Sequence, residues 1–156
     1  MSRALFVCTG NIFRSLTAEY AVRRALGPQS PILVSSAGTE DFPYIVRPIV
    51  RDYLLRCGLD ARNHQRRTLT EALLREATVV IAMNHDHREF IRERYGRDAP
   101  LFMEICGLEA QALPDVEDVI ADPVSNPAAV EAHVRRTIDR IIELSPSLAR
   151  RLLAQI

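Results

Sequence analysis

Short apolar runs alternate along this chain with stretches whose apolar residues recur at helical spacing. The first run, at residues 4–8, is followed by a helical pattern that starts at Ser15 and ends at Gly27-Pro28. Three more apolar runs are predicted as strands, at residues 32–34, 78–83 and 101–105. Strands that are apolar throughout and alternate with helices are typical of a parallel sheet buried on both faces. The sequence therefore predicts an α/β fold with a four-stranded parallel sheet and helices on both faces.

The composition restricts what such a chain can bind. Its 156 residues suit one domain, residues 1–156, with its own hydrophobic core. Twenty Lys and Arg residues balance twenty Asp and Glu residues, so no overall field attracts nucleic acid or an anionic membrane. The apolar start is too short for a signal peptide, and no stretch approaches the roughly 20 apolar residues that span a bilayer. Three widely spaced cysteines argue against a disulfide framework, so we expect a cytoplasmic protein without membrane insertion.

The stretch between the first strand and the first helix, CTGNIFRS at residues 8–15, has the composition of an anion site. The N-terminus of a helix presents free N–H groups and a partial positive charge, which stabilise an anion or a cysteine thiolate. Gly10 lets the backbone curl so that successive amides converge. Arg14 adds a planar guanidinium that suits two phosphate oxygens, and the Ser15 hydroxyl can donate to the Cys8 sulfur. The stretch predicts a phosphate cradle with a thiol nucleophile at its floor.

Taken singly, the cysteines and histidines have ordinary structural explanations. A lone cysteine at the end of a strand is most often inert core, and only the strand–helix setting makes Cys-x5-Arg a strong signal. Cys57 falls on the apolar side of a helix and Cys106 at the end of a predicted strand, so both are interpreted as packing residues. His85 and His87 are two positions apart, do not face together on a helix and do not predict a metal site.

The octapeptide and four later motifs resemble the low-molecular-weight protein tyrosine phosphatases. In chain order the motifs are VCTGNI with RS at 7–15, AE at 18–19, SSAGT at 35–39, GLD at 58–60 with His64, and DP at 122–123. The resemblance implies a phosphate-binding loop after the first strand and hydrolysis of a phosphomonoester through a phosphocysteine intermediate, without a metal or other cofactor. It also implies a phosphotyrosine-containing protein or a small aryl phosphate as the substrate of a monomer or weak dimer.

By the same resemblance, Cys8 attacks phosphorus while Arg14 and the loop amides hold the phosphate oxygens. The phosphate-binding set is Thr9, Gly10, Asn11, Ile12, Phe13, Arg14 and Ser15. A supporting set would stabilise the sulfur or hold the loop in shape together with Asn11, and it comprises Ser15, Ser36 and His64.

The general acid is expected in an irregular connection, roughly residues 107–125, which is unusually long for a compact domain. A phosphate ester's leaving oxygen needs a proton and the attacking water then needs a base, and one carboxyl group can serve both steps. By the resemblance, this carboxyl group belongs to Asp122, which precedes Pro123. From residue chemistry alone, three carboxylates of the same connection remain candidates: Asp115, Glu117 and Asp118.

Several positions depart from the family pattern. Val124 stands where an aromatic residue usually forms one wall for the substrate ring, which leaves Phe42 and Tyr44 as the predicted wall. Ile12 is bulkier than the threonine common in relatives that act on phosphoarginine, and this bulk favours a flat aryl group. Four other departures concern loop support or oxidation: Phe13 stands in place of a second cysteine, Leu16 in place of a proline, and Arg47 and Asn84 in place of aspartates.

Three other functions fit parts of this pattern. A protein-arginine phosphatase would use the same loop. A thiol-linked arsenate reductase would need two further cysteines close together, whereas Cys57 and Cys106 lie far apart. A non-catalytic phosphate-binding module is the third, because Leu16, Asn84 and Val124 are altered. The sequence favours phosphotyrosine hydrolysis through Cys8.

Overall fold

In the computed structural model, which describes residues 1–155, helices enclose a parallel sheet on both sides. The elements are β1 (Ser2–Cys8), α1 (Arg14–Leu26), β2 (Ile32–Gly38), α2 (Pro48–Arg56), α3 (Glu71–Glu76), β3 (Val79–Ala82), α4 (His85–Tyr95), α5 (Phe102–Ile105), α6 (Val116–Val119) and α7 (Pro127–Ala154). Over these described residues the sheet has three strands in the order β2-β1-β3, all parallel. The α/β class with a parallel sheet is confirmed, with one strand fewer than predicted.

The central strand β1 contributes to both halves of the core. Successive side chains of a strand point to opposite faces of the sheet. Ala4, Phe6 and Cys8 therefore pack in one cluster, which also contains residues of α1 and α7. Leu5 and Val7 pack in a second cluster on the other face. Because both faces of the sheet are covered here, residues 4–8 of β1 are all buried, which explains the continuous apolar run in the sequence.

The predicted fourth strand, residues 101–105, is wrong. Leu101 forms a single parallel bridge with Ala82, and Phe102–Ile105 then form the one-turn helix α5. The Leu101 N–H donates to the Glu104 carboxylate at 3.1 Å, and Arg88 of α4 binds the same carboxylate. This carboxylate three residues ahead caps a helical turn, so strand pairing ends after one residue.

The loop of residues 9–13 joins the end of β1 to the start of α1. Cys8, the last residue of β1, is paired with Gly38, the last residue of β2. No side chain caps the N-terminus of α1, and the first turn of this helix contains no acidic residue. Its first N–H groups are therefore left without a carboxylate partner beside the loop.

The longest helix, α7, packs against α1 and closes the face of the sheet that carries Cys8. It begins at Pro127 after Asn126, as the sequence predicted, and continues through Pro146. Across residues 1–155, no helix combines the length and apolar character needed to cross a bilayer.

Candidate active site

A cavity of about 580 Å³ lies at the carboxyl end of β1. This volume falls in the usual range for a small-molecule site, and the position is where ligands bind in open parallel sheets. Six residues predicted for phosphate binding or catalysis line the cavity: Cys8, Thr9, Gly10, Ile12, Phe13 and Arg14. The strand end, the loop and the start of α1 therefore bring the predicted nucleophile and the predicted anion ligands to one place.

Successive carbonyl groups of the loop are engaged by donors from other segments. Cys8 O accepts from Thr39 N (2.8 Å), Thr9 O from Glu40 N (3.1 Å), Gly10 O from Arg66 Nε (2.9 Å) and Asn11 O from His64 Nε2 (3.0 Å). Because the peptide group is planar and trans, each carbonyl that faces these donors turns the following N–H to the opposite side. The N–H groups of residues 9–12 therefore face away from these donors, and successive amides with a shared direction have the arrangement that suits an anion.

Asn11 fixes the shape of this loop. Its φ angle is 57°, in the left-handed region that asparagine tolerates better than most residues. Its Nδ2 donates to Ser15 Oγ at 2.9 Å and to Ser36 Oγ at 2.7 Å, and its Oδ1 accepts from Arg67 N at 3.1 Å. The structure thus brings Asn11, Ser15 and Ser36 together as predicted, and adds Arg67, which the sequence did not reveal.

His64, the other predicted support, reaches the loop as a neutral ring. Burial lowers the pKa of His64, and the Asn11 carbonyl that it contacts can only accept a hydrogen bond. Nε2 therefore carries the proton and donates. The ring packs edge-on against Tyr20 of α1, with 5.9 Å between the ring centroids. This packing fixes the ring orientation that the donor needs.

The predicted nucleophile is hydrogen-bonded to its predicted partner. Cys8 Sγ lies 2.9 Å from Ser15 Oγ, and both residues are almost fully buried, although Cys8 lines the cavity. Because Ser15 Oγ already accepts from Asn11 Nδ2, its hydroxyl proton is available to point at the sulfur. The arrangement stabilises negative charge on the sulfur.

Arg14 is a buried cation whose guanidinium is held by two other segments of the chain. Its Nη1 donates to Leu113 O at 3.0 Å, and its Nη2 lies 3.0 Å from Asp115 Oδ2 and 3.4 Å from Thr9 Oγ1. Within residues 1–155 its Nε is buried and has no partner. A buried guanidinium N–H without an acceptor is costly, and a phosphate oxygen in the cavity would satisfy it.

His87 supports the Thr9 side chain, a contact that the sequence did not reveal. Its Nε2 lies 2.9 Å from Thr9 Oγ1. Burial, assisted by the nearby Arg14 charge, lowers the pKa of His87 to about 3, so the ring is neutral and its 3.6 Å approach to Asp86 is not an ion pair. His87 follows β3 at the carboxyl edge of the sheet, and this position in the sequence could have indicated that His87 lies near the candidate site.

Three carboxylates of the connection between α5 and α7 line the cavity: Asp115, Glu117 and Asp118. They belong to the short helix α6 and its N-cap. Asp115 Oδ1 accepts from Val116 N at 2.8 Å, and Asp118 Oδ2 accepts from Asp115 N at 2.9 Å. The bond from Asp115 N to Asp118 belongs to a capping box at the start of α6 and holds the Asp118 carboxylate, and the bond from Val116 N holds the Asp115 carboxylate.

The structure does not bring Asp122 to the cavity. Asp122 is exposed, its backbone carbonyl accepts from Asn126 Nδ2, and its carboxylate accepts from Ser125. The hydrogen bonds from Ser125 lower the pKa of Asp122, whereas a proton donor works best with a raised pKa. Its role as the general acid therefore stays a prediction from the motif alone.

The predicted aromatic wall is only half present at the cavity. Tyr44 lines the cavity, and its ring lies over Gly10, where an added Cβ would be 3.2 Å from Tyr44 Cδ2. Phe42 is 55% exposed, lies outside the cavity lining and packs against Tyr44 with tilted rings whose centroids are 4.6 Å apart. Val124 is 93% exposed. Ile12 and Tyr44 are therefore the apolar walls nearest the loop.

The remaining departures have structural explanations. Phe13 is buried and packs edge-on against His133 of α7. Arg47 is paired with Glu117 at 2.5 Å, and both side chains line the cavity. Asn84 caps α4 by accepting from His85 N, and Leu16 is fully buried. None of these four residues blocks the cradle.

The other cysteines lie outside the cavity lining. Cys57 follows α2 and is half-buried, and Cys106 follows α5 and is buried. Burial raises the pKa of the Cys106 thiol to about 11, which makes it a poor nucleophile. Over residues 1–155, no three His, Cys, Asp or Glu side chains are grouped so as to hold a metal ion.

Comparisons with known proteins agree with this geometry. The model of the family "Low molecular weight phosphotyrosine protein phosphatase" matches residues 3–155. The chain is 29% identical over 156 residues to a protein-arginine-phosphatase of Bacillus subtilis, and the match covers 95% of each protein. It is similar in structure to a mutant of YwlE arginine phosphatase with a phosphorylated active-site serine, at a TM-score of 0.79 and 26% identity over 97% of this chain and 95% of that chain.

A low molecular weight protein tyrosine phosphatase of T. tengcongensis is also similar, with a TM-score of 0.76 and 25% identity over the full length of both chains. The family match covers almost the whole sequence, and it includes the strand, loop and helix that carry Cys8 and Arg14. The chain belongs to the low molecular weight phosphotyrosine protein phosphatase family.

Proposed function

We propose that this phosphatase hydrolyses phosphotyrosine, in proteins or as a small aryl phosphate, through a phosphocysteine formed on Cys8. One observation carries the proposal: the Cys8 sulfur, with Ser15 Oγ at 2.9 Å, shares a cavity with the loop amides and with the buried Arg14 guanidinium whose Nε lacks a partner. A dianionic phosphate supplies the acceptors that these donors lack.

In the first step the Cys8 thiolate attacks phosphorus opposite the leaving oxygen. The S–P bond forms as the P–O bond breaks, and a carboxyl group protonates the departing phenolate. In the second step that carboxylate takes a proton from water, whose oxygen attacks phosphorus. The S–P bond then breaks, inorganic phosphate leaves and the thiolate returns to the Ser15 hydrogen bond.

The amides of the loop and the Arg14 guanidinium stabilise the negative charge of the phosphoryl group during the reaction. Charge on the phosphoryl oxygens redistributes in the transition state, and fixed N–H donors already oriented toward it stabilise it without reorganisation. Asn11 and the donors on the loop carbonyls hold this arrangement in the free enzyme. The proposal therefore assigns no metal or organic cofactor to the reaction.

The walls favour an aryl group. Ile12 and Tyr44 both approach Gly10, so the entrance beside the loop is narrow and apolar on this side. A flat phenol fits between such groups with stacking worth about 0.5–1.5 kcal/mol beyond burial.

We place the enzyme in the cytoplasm, acting as a monomer or weak dimer.

Phosphoarginine is the second candidate substrate. The relatives that carry the arginine phosphatase name are similar over nearly the whole chain. The carboxylates of Glu40, Asp86, Glu117 and Asp118 also line the cavity, and they suit a guanidinium more than a phenol. Against this, Ile12 and Tyr44 narrow the entrance.

A substrate panel tests both candidates. Phosphotyrosine, phosphoserine and phosphoarginine peptides are compared with wild type, Cys8→Ser and Ile12→Thr. We expect phosphotyrosine to give the highest kcat/KM in wild type, and Ile12→Thr to move the preference toward phosphoarginine. Acid quenching during turnover should trap one phosphoryl group on Cys8. Phosphotyrosine turnover that survives Cys8→Ser would refute the nucleophile.

The same protein samples test arsenate reduction and non-catalytic phosphate binding. Arsenate reduction with a thioredoxin system should give no turnover, because Cys106 is a buried, weakly acidic thiol and a relay needs a nearby attacking thiolate. A non-catalytic binding module would bind phosphate or vanadate without hydrolysing any member of the panel.

A further inference from the structure

His87 is a buried imidazole beside the loop, and the reaction described above makes no use of it. The residue is 1% exposed, and its Nε2 lies 2.9 Å from the hydroxyl oxygen of Thr9, a residue that lines the cavity. Resting on the proposed phosphatase reaction, we propose that the Thr9 hydroxyl donates a hydrogen bond to a phosphoryl oxygen of the substrate. His87 is the positioning residue that turns this hydroxyl toward the cavity.

Arg14 fixes one side of the Thr9 hydroxyl. Its Nη2 lies 3.4 Å from Thr9 Oγ1, a long contact, and 3.0 Å from Asp115 Oδ2. A guanidinium has N–H donors and no acceptor, so the threonine oxygen can only present a lone pair to it. The positive charge of Arg14 also repels the hydroxyl proton. The Thr9 proton therefore does not point at Arg14.

The tautomer of His87 fixes the second side of the hydroxyl. Burial lowers the pKa of His87 to about 3, so the ring is neutral and one of its two nitrogens carries the proton. Asp86 Oδ2 lies 3.6 Å from Nε2, and a carboxylate so close favours a proton on Nε2 over a lone pair. Over residues 1–155 the buried Nδ1 has no partner, so no acceptor holds the proton there. Nε2 therefore carries the proton and donates to Thr9 Oγ1.

The Thr9 hydroxyl is left with its own proton free. A hydroxyl oxygen has two lone pairs and one proton, and here the lone pairs accept from His87 Nε2 and Arg14 Nη2. Among residues 1–155 these two donors are the partners of Thr9 Oγ1, so the protein supplies no acceptor for the proton. Thr9 lines the cavity together with Cys8. An oxygen of a phosphate ester bound over Cys8 is the acceptor that this hydroxyl lacks.

The start of α4 holds His87 in a fixed position relative to the loop. The strand before it is tied to β1, since Met83 N donates to Val7 O at 2.9 Å. Asn84 then caps α4 by accepting from His85 N at 2.9 Å. The His87 ring is therefore held against the strand that ends in the loop. A donor whose direction is fixed before the substrate binds needs no reorganisation during the reaction.

Calorimetric titration with inorganic phosphate tests the hydroxyl as a donor. Thr9→Val removes the hydroxyl and keeps the branched shape, and we expect it to weaken phosphate binding by roughly 10–100-fold. Thr9→Ser keeps the hydroxyl and should recover most of that loss. His87→Phe keeps a ring but removes the donor that fixes the hydroxyl, and we expect a loss of about 2–10-fold. His87→Gln keeps an N–H donor and should recover part of this smaller loss.

The double variant Thr9→Val/His87→Phe separates positioning from a general structural effect. If His87 acts through the Thr9 hydroxyl, His87→Phe weakens phosphate binding in wild type but not in the Thr9→Val background. Urea unfolding checks that each variant is folded, and His87→Leu takes the place of His87→Phe if the larger ring does not fit. Unchanged phosphate binding in Thr9→Val, or equal losses from the His87 variant in both backgrounds, would overturn the assignment.

Turnover of two aryl phosphates shows which oxygen the hydroxyl meets. We expect Thr9→Val to lower kcat/KM by the same factor on phenyl phosphate and on nitrophenyl phosphate, because both present the same phosphoryl oxygens. A loss confined to phenyl phosphate, the poorer leaving group, would place the hydroxyl on the bridging oxygen and refute the proposal. The phosphatase reaction fails separately: if wild type binds phosphate through Thr9 but hydrolyses neither substrate, the reaction is refuted and the phosphate contact stands.

Discussion

Replacement of Gly38 by alanine tests whether β2 holds the phosphate-binding loop at its working geometry. A Cβ on Gly38 would lie 2.6 Å from Thr9 O, 2.9 Å from Gly10 C and 3.0 Å from Asn11 N, all backbone atoms of the loop. Gly38 cannot retreat, because its N–H donates to Arg67 O at 2.9 Å and its carbonyl accepts from Leu69 N at 2.7 Å. The loop must therefore move.

Ordinary van der Waals contact requires a shift of roughly 0.5–1 Å, and overpacking of this kind costs about 1–3 kcal/mol. Such a shift would turn the amides of residues 9–12 away from the phosphate. A misplacement of about 1 Å at reacting groups costs on the order of 10²-fold in rate. We expect Gly38→Ala to lose roughly 10–100-fold in kcat/KM for an aryl phosphate.

The matched control is Gly96→Ala at the C-terminus of α4. Gly96 has a φ of +64° and nothing within 4 Å of an added Cβ, so alanine there costs about 1–2 kcal/mol through backbone strain alone. Urea unfolding gives the stability of both variants, and steady-state kinetics at low temperature gives the activity of the folded fraction. Unchanged kcat/KM in Gly38→Ala would refute the view that this contact sets the loop.

Asn11, His87 and Phe13 each give a further testable outcome. Asn11→Ala should lower the free energy of unfolding by about 2–4 kcal/mol, measured by urea titration, because three hydrogen bonds are lost, two of them buried and one part-buried. A loss below about 1 kcal/mol would contradict this role. Burial lowers the pKa of His87 to about 3 in the folded protein. As the pH falls below about 6.5, His87 therefore binds a proton in the unfolded chain but not in the folded one. The free energy of unfolding should drop by about 2 kcal/mol between pH 8 and pH 5. His87→Gln should flatten that part of the pH–stability curve, and an unaltered curve would exclude His87 as its cause. Peroxide should inactivate the enzyme in a way that dithiothreitol does not fully reverse, because Phe13 replaces the neighbouring cysteine and Cys106 is a buried thiol; full recovery of activity would show that another thiol resolves oxidised Cys8.

The parts of the fold that depend on local patterns could be predicted from the sequence. β1 is an apolar run because it is buried on both faces, and α7 starts at an asparagine followed by proline. The run at residues 101–105 misled the prediction because consecutive buried residues occur both in a buried strand and in a one-turn helix. The Glu104 carboxylate, which caps the turn at Leu101 N, distinguishes the two, and Arg88 of α4 binds this carboxylate through a tertiary contact that the local pattern does not reveal.

In the candidate site, too, the residues that are close in sequence could be predicted, and those that tertiary contacts bring together could not. The proposed nucleophile Cys8, Asn11 and Arg14 lie within eight residues of sequence, so their spacing could be read directly. Arg66 and Arg67 could not be found in this way, because the bridge between Gly38 and Thr68 is what brings them to the loop. Residue chemistry also predicts Asp115, Glu117 and Asp118 as candidate acids, and these three line the cavity, whereas the role of Asp122 stays a prediction from the Asp-Pro motif.

Arg14 joins the loop to the connection before α7, since its Nη1 and Nη2 bind Leu113 O and Asp115 Oδ2, while its Nε has no partner within residues 1–155. Arg14 therefore holds the first part of this connection, at Leu113 and Asp115, and it makes no such contact with the later part. We expect homologues to tolerate insertions and deletions between Val119 and Pro127, because changes there leave the contacts of Arg14 with Leu113 and Asp115 in place. We expect a lysine at position 14 to be excluded in every active homologue, since one ammonium group lacks the planar fork needed to hold both tethers and the anion.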